Sequence, residues 1–466
     1  MHVYLSDLVI VFSAIAITLV LSKWSTFYAR KVLHILAISA CAHAVSITTS
    51  DTFQFFVYLI GGFSVILTFA VWKGFFKTEG RRSWGIAYFP WVLLVLMLIF
   101  PSQLKLISLS FYILAISDGL SAIMGRWYND RWGSKFFPNE IQWGRDAKTL
   151  IGSLVFALSS WVLLMFFYPQ SPVFCLFVWA LTIASIELIS SSGSDNLTVP
   201  FWVFFTQPIL MQFTFDPIWV ITGIALALLI YKFKWLSASG MVFAAILALL
   251  FLIADAPLYL LFTFLILGSL ASRLNHRKTL STSESKSSKP RDAFQVIANG
   301  GISVLILLFF GGYPEFRDFL IYVSISVALS DTLSSEWGVF FGGRTFSLIR
   351  FKEVPKGLSG GVSLAGTGAG LVGASLVGLL SYLHGNWNGD SAVFTSVMIT
   401  IVGFLGMLLD SIMGELFQSK YRDDEGLLSD SGDVLVGGFS GFTNDTTNWL
   451  SNAVTVFFAA LWVMLV

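Results

Sequence analysis

Six carboxylates stand where an apolar chain has little reason to carry them. Asp118, Glu187, Asp331, Glu336, Asp410 and Glu415 lie inside or at the ends of long hydrophobic runs, and a charge at mid-membrane depth costs at least about 2.5–3.5 kcal/mol. Asp118 and Asp331 each lead into a long polar stretch, 124–150 and 331–361, carrying Gly-Arg (Gly125-Arg126, Gly343-Arg344) and closing on Lys-x-Leu-x-Gly (Lys148 to Gly152, Lys356 to Gly360, then Gly361). Acid, arginine, lysine and glycine in that order suit a metal-bound polyphosphate. The carboxylates hold Mg²⁺, which takes one or two of them together with phosphate oxygens. Arg126 and Arg344 fork a phosphate, and Lys148 and Lys356 place point charges. Gly152, Gly360 and Gly361 let backbone N–H groups approach at a helix start. Arg30 and Lys31 add to the nucleotide-binding set. Against this stands the plain reading that loop Arg and Lys residues are solvated charges that membrane topology alone requires. There is no GxxxxGK[ST], GxGxxG or HExxH pattern, so phosphoryl transfer here would run outside the soluble nucleotide-binding classes.

The metal set is extended by the acids that follow each stretch. These are Glu187 and Asp195 with Asn196 in the first half, and Asp410 or Glu415 with Asn444, Asp445 and Asn448 in the second; spacing leaves the choice between Asp410 and Glu415 open. Asp118, Asp331, Glu336 and His34 are the candidate catalytic residues. His34 could take the proton of an alcohol acceptor, whereas Gln295, which stands in its place in the second half, can only hydrogen-bond. Both could equally be packing residues.

The elements that must position these groups are membrane helices. Of 466 residues, 56% are hydrophobic and 12% charged, with 45 Phe and 16 Trp; soluble domains carry about 25% charged residues. This excludes soluble enzymes and disordered regulators, and 28 basic against 27 acidic residues exclude a nucleic-acid partner. The fold class is all-α, a polytopic helical protein of about 16 spans, centred near 12, 40, 62, 93, 113, 160, 182, 205, 225, 245, 265, 302, 323, 372, 402 and 457. Alternating them across a bilayer puts every Lys and Arg on one side except Lys105 and Arg317. That side is cytoplasmic by the positive-inside rule, which leaves both termini outside. Cys41 and Cys175 sit in apolar runs and offer no disulfide framework. The N-terminal apolar stretch reads as a first span, with no cleavage site after it.

A Ser-rich charged connector over 272–292 separates two halves, giving domains 1–235 and 293–466 with extra helices over 236–271. The halves repeat in parallel orientation. Arg30-x-x-x-His34 matches Arg291-x-x-x-Gln295, and Ser117-Asp118-x-Leu120-Ser121 matches Ser330-Asp331-x-Leu333-Ser334. Gly-Arg and Lys-x-Leu-x-Gly recur as above, and Ser194 to Thr198 matches Thr443 to Thr447. The first copy has two additional spans.

On RKVLHI (30–35), SDGLSAIMGR (117–126), KTLIGSL (148–154) and ELISSSGSDNLTVP (187–200), the first half resembles the phytol kinase/dolichol kinase family of CTP-dependent membrane lipid kinases. On QVIANGG (295–301), SDTLSSEWG (330–338), KGLSGGVSLAG (356–366), DSIMGELFQ (410–418) and NDTTNWL (444–450), the second half resembles the phytyl-phosphate kinase family. The second-half family usually has Pro-Gly-Thr where Pro355-Lys356-Gly357 stands here. The first commonly has Glu-Gly after Lys-Thr, where this chain has Ile151-Gly152. The resemblance implies a bifunctional enzyme that uses CTP and Mg²⁺ to phosphorylate a prenyl alcohol and then the prenyl monophosphate at the cytoplasmic face of the bilayer. A CDP-lipid-forming cytidylyltransferase and a transporter are the alternative readings.

Overall fold

The computed structural model describes residues 26–75, 77–78, 81–82, 84–132, 148–190, 193–212, 217–280, 290–354, 358–387, 391–422, 428–430 and 434–465. The expected first span near residue 12, most of the first polar stretch, Lys356 and the middle of the connector lie outside these residues. Two compact units divide the chain, Met1–Phe215 and Asp216–Val466.

In the first unit the helices are α1 (Thr26–Ser46), α2 (Ser50–Trp72), α3 (Gly85–Ile99), α4 (Leu104–Trp132, with a π-turn over Ile113–Ser117), α5 (Leu150–Phe167), α6 (Val173–Ile189) and α7 (Asp195–Leu210). The second unit has α8 (Pro217–Lys232), α9 (Ala238–Ile253), α10 (Tyr259–Leu280), α11 (Ala293–Phe310), α12 (Pro314–Phe341), α13 (Leu364–His384), α14 (Ser391–Phe417) and α15 (Asn444–Leu465). Each expected span centre among the described residues falls in one of these helices. Seven are long and apolar enough to cross a membrane, and α3, α6, α9 and the first part of α10 are shorter apolar helices. Strands are confined to hairpin-sized pieces, β1 (Lys77–Thr78) with β2 (Arg81–Arg82), β3 (Phe346–Ser347) with β4 (Gly361–Val362), and β5 (Lys420–Arg422) between β6 (Leu428–Ser429) and β7 (Val434–Gly437).

Three features of the helices add to the sequence expectations. Helix α10 runs on to Leu280, so 272–280 is helical; its Arg, Leu and Lys residues are good helix formers continuing an apolar helix. Helices α8 to α10 fall in the second compact unit, where α9 packs on α11 and α10 on α12. Asp331 and Gly125-Arg126 sit within α12 and α4, so the two polar stretches begin later than the sequence suggests.

The repeat is present in the packing. In the first unit α1 meets α4, α4 meets α5 and α7, α5 meets α6, and α6 meets α7; α11, α12, α13, α14 and α15 make the same five pairings in the second. Helices α2 and α3 are the two additional spans of the first copy. Glycines set the distances. A Cβ on Gly125 would stand 2.4 Å from Thr149 Oγ1 and 3.4 Å from Gly152 Cα; on Gly338 it would stand 3.2 Å from Ser363 Oγ and 3.3 Å from Gly366 Cα. Gly152 faces the Ser121 carbonyl, and Gly366 faces that of Ser334. Thr149 and Ser363 cap α5 and α13 in the same way, accepting from Gly152 N and Gly366 N at 3.1 Å. The true equivalents are therefore Gly125 with Gly338 and Thr149-x-x-Gly152 with Ser363-x-x-Gly366. The Gly-Arg and Lys-x-Leu-x-Gly matches were out of register, since Gly343 and Gly360 lie in loop and hairpin, where helix packing does not constrain spacing. Further along, Gly370 and Gly373 press α13 onto Ser330 and Leu329 of α12, and Gly403 and Gly406 press α14 onto Ser326 and Val327. Small residues of this kind let membrane helices approach closely.

A Cβ on Gly403 would lie 1.9 Å from Ser326 Oγ, whereas one on exposed Gly368 would meet nothing within 4 Å. Gly403→Leu should therefore lower unfolding stability in detergent by about 1–3 kcal/mol through overpacking. Gly368→Leu should leave it unchanged or raised.

Candidate functional site

Asp118 opens the α-helical part of α4, directly after the π-turn. Such turns displace the regular i→i−4 ladder and concentrate at functional sites. His34 of α1 reaches this point, its Nε2 lying 3.4 Å from the Leu114 carbonyl in the π-turn and 3.3 Å from Asp118 Oδ2. Lys31, one turn earlier, donates to the same Asp118 oxygen at 2.9 Å. The spacing of 31 and 34 puts both on one face of α1, and Ile35 fills the gap left by Gly119.

A second ion pair lies alongside. Lys148, two residues before α5, bonds the Glu187 carboxylate and, at 2.7 Å, the Glu187 backbone carbonyl at the end of α6. Asp195 at the start of α7 acts electrostatically on Asp118, Lys148 and Lys31. Burial works against the charge on Lys148, but Glu187, Asp195 and Asp118 outweigh it and hold its pKa above the ordinary lysine range. Three carboxylates, two lysines and one imidazole thus form a single cluster. Two of its oxygens, Glu187 Oε2 and Asn196 Oδ1, are buried without a hydrogen-bond partner.

The equivalent place in the second unit is built differently. Asp331 on α12 and Asp410 on α14 lie close enough to act on each other electrostatically. Asn448 Nδ2 on α15 donates to Asp331 Oδ2 at 3.3 Å, and Ser451 Oγ donates to Asp410 Oδ1 at 2.7 Å. Asn448 Oδ1 is buried without a partner. Two carboxylates in contact repel unless a proton or a cation lies between them. The residue matching Lys31 here is Asp292, which caps α11 through Gln295 N at 3.0 Å.

The structure separates Asp410 from Glu415. Glu415 takes Ser347 Oγ on both oxygens, at 2.7 and 2.6 Å, and Arg350 Nε at 3.3 Å, with Lys420 on its backbone carbonyl. Gly360, at φ +84°, lies against its backbone. Glu415 therefore ties the β3–β4 hairpin to the end of α14. Counted from Ser190–Thr198 and Gln418–Thr447, the matching side-chain contacts at these helix ends, it is the register equivalent of Glu187.

The remaining sequence candidates are dispersed. Glu336 accepts from Ser272 Oγ at 2.6 Å. Arg126 is exposed, over the Phe27 ring at 4.3 Å and 3.6 Å from Asp130. Arg30, Arg344 and Asn444 are exposed, Asp445 faces Asp292, and Gly361 lies in β4. Ser451 escaped the sequence reading. Its signal is a polar stripe, Asn448, Ser451, Asn452 and Thr455, along one face of an otherwise apolar helix.

Among the described residues no three His, Cys, Asp or Glu side chains converge to hold a metal ion. Mg²⁺ does not need three, since it fills its shell with one or two carboxylates and phosphate oxygens. Asp331, Asp410 and the orphaned Asn448 carbonyl fit that donor set.

The fold and these buried acids define a multi-pass integral membrane protein built from two related helical units. The chain belongs to the family described as integral membrane protein DUF92, which matches residues 221–456, essentially the second unit. An uncharacterized membrane protein of Methanocaldococcus jannaschii, MJ0933, is 36% identical over 205 residues, 42% of this chain and 80% of that protein. Another from Synechocystis sp., sll0875, is 34% identical over 98 residues, 21% of this chain and 36% of that one. Protein VTE6, chloroplastic, of Arabidopsis thaliana is 28% identical over 194 residues, 40% of this chain and 57% of the plant protein. The chain thus spans little more than half of VTE6 and about a third of sll0875. No solved structure matches it.

A lysine held charged in this way contributes its stability in full below its unfolded pKa, near 10.4, and loses it only as pH rises through the higher folded value. The lysine's share of the Lys148–Glu187 pair should therefore be even from about pH 6 to 9. Lys148→Met strands a buried carboxylate and should cost about 3–5 kcal/mol in unfolding measurements at pH 7. Adding Glu187→Met should recover most of that loss.

Proposed function

We propose that the chain is a bifunctional lipid kinase. The first unit phosphorylates a prenyl alcohol, such as phytol, geranylgeraniol or farnesol, and the second phosphorylates the resulting monophosphate. CTP is the donor to both, at the cytoplasmic face, with both termini outside. The observation that carries this reading is one scaffold bearing a buried Asp at the same helix position twice, with partners that differ as the two acceptors differ. The motif resemblance of each half supports the donor and the acceptor class.

An alcohol must lose a proton as it attacks. With Nε2–H of His34 directed at Asp118 and the Leu114 carbonyl, Nδ1 is the free lone pair, and it takes the hydroxyl proton as the new O–P bond forms and CDP departs. Asp118 holds the ring in that tautomer and is itself held by Lys31. A monophosphate is already an oxyanion, and the second unit offers no imidazole at Asp331. Its Asp331, Asp410 and Asn448 would hold Mg²⁺ on the nucleotide, and that ion, when bound, would neutralise charge on the transferring phosphoryl group. Glu187, Asp195 and Asn196 are the oxygen donors for the same purpose in the first unit. A prenol dissolves in lipid while CTP stays in water, so the site must serve both, and acids carried inside apolar helices suit that need.

The nucleotide released on incubation with each acceptor tests the reading. CDP is expected with both the prenol and the monophosphate; pyrophosphate would indicate a cytidylyltransferase, and turnover of neither a transporter. His34→Gln should lower prenol phosphorylation about 10²-fold or more and leave monophosphate phosphorylation unchanged. Normal prenol turnover in that variant would make His34 a packing residue.

A further inference from the structure

Beside α10 the second unit contains a corner that the reading above does not use. Residues 235–237 and 290–292 run side by side, with Ser237 N donating to the Arg291 carbonyl at 2.9 Å and Arg291 N to the Trp235 carbonyl at 3.2 Å. Gly240 allows this approach; a Cβ there would lie 2.3 Å from the Arg291 carbonyl oxygen. The backbone is thereby fixed, and the Arg291 side chain turns inward onto α10. It passes 5.2 Å from the Phe264 ring, and its two terminal nitrogens lie 2.8 and 2.9 Å from where a Cβ on Gly268 would stand. The space Gly268 leaves open is the space the guanidinium occupies.

Three buried donors lie along this stretch of α10 and the segments packed on it, each without a hydrogen-bond partner among the described residues: Arg291 Nη1, Ser269 Oγ and Trp235 Nε1. Ser269 follows Gly268. Trp235 lies beneath Arg273, one turn further on, at 5.9 Å from its ring. A buried donor left unsatisfied is costly, and more so when it is charged. Three such groups together, one a guanidinium, are an arrangement that a bound oxyanion satisfies. Glu336, the acid that acts on Arg291, is hydrogen-bonded by Ser272.

We infer that Arg291, Ser269 and Trp235 form a binding site for one phosphate group, lying at the polar end of α10 and made of residues other than Asp331 and Asp410. The chemistry is shared by an anionic phospholipid headgroup and by free phosphate. Basic pockets between membrane helices are known headgroup sites.

The inference is independent of the kinase reading, and so is its test. The full chain in maltoside detergent, in phosphate-free buffer at constant ionic strength, is titrated with inorganic phosphate while its unfolding midpoint is followed. A saturable rise is expected, because a ligand bound only to the folded state stabilises it by mass action. Arg291→Gln should raise the half-saturating concentration at least about tenfold, with Trp235→Phe and Ser269→Ala, which preserve shape, raising it severalfold. In nanodiscs, replacing part of the phosphatidylcholine by phosphatidylglycerol should give the same rise if a headgroup is the natural occupant. A response to inorganic phosphate alone assigns the site to the free anion. No response in either arm, or equal responses in wild type, Trp235→Phe and Ser269→Ala, would overturn the inference and leave the corner to buried water.

Discussion

A carboxylate inside a bundle of apolar helices must find a partner, and the way each copy of the repeat meets that demand distinguishes its chemistry. In the first unit Asp118 is met by Lys31 and His34, and Glu187 by Lys148. In the second, Asp331 is met by another acid, Asp410, and by the asparagine Asn448. The first arrangement sets two lysines against three carboxylates, with Asp195 as the third, and supplies an imidazole for proton transfer. The second leaves negative charge for a cation to complete, next to an asparagine carbonyl that has nothing else to bind.

The helices can bring these groups together only because their backbones approach at glycine. Gly125 against Gly152 and Gly338 against Gly366 set the same contact in both units, one to two turns beyond the acids. In the second unit Gly370, Gly373, Gly403 and Gly406 extend it along α12. A buried network of this kind stays in place because packed cores are not continuously deformable. The divergence of the two sites is carried by a few side chains on a frame that does not change.

Much of this was legible in the sequence, for identifiable reasons. Apolar runs broken by charge marked the helices, and Asp118 and Asp331 stood out because a charge inside such a run is costly. Helix lengths were less legible: Asp331 sits ten residues before the end of α12 because the Thr332–Phe341 segment continues the helix after the acid. The partner of Asp331 was not legible either. Asp410 and Glu415 are five residues apart, about 140° around a helix, so they face different neighbours, and composition cannot say which. The glycine equivalences were missed because Gly-Arg recurs in a loop by coincidence, whereas Gly338 is defined by what it touches.

The central claim is that two equivalent aspartates serve two separate sites. It is tested most directly by following both phosphorylation steps in the full chain with Asp118→Asn and Asp331→Asn. In Asp118→Asn, prenol phosphorylation should fall by about 10²-fold or more while added prenyl monophosphate is still converted to the diphosphate. In Asp331→Asn, prenol should be consumed and the monophosphate should accumulate. Loss of both steps from either single substitution, in protein that remains folded, would contradict two sites and require one composite site.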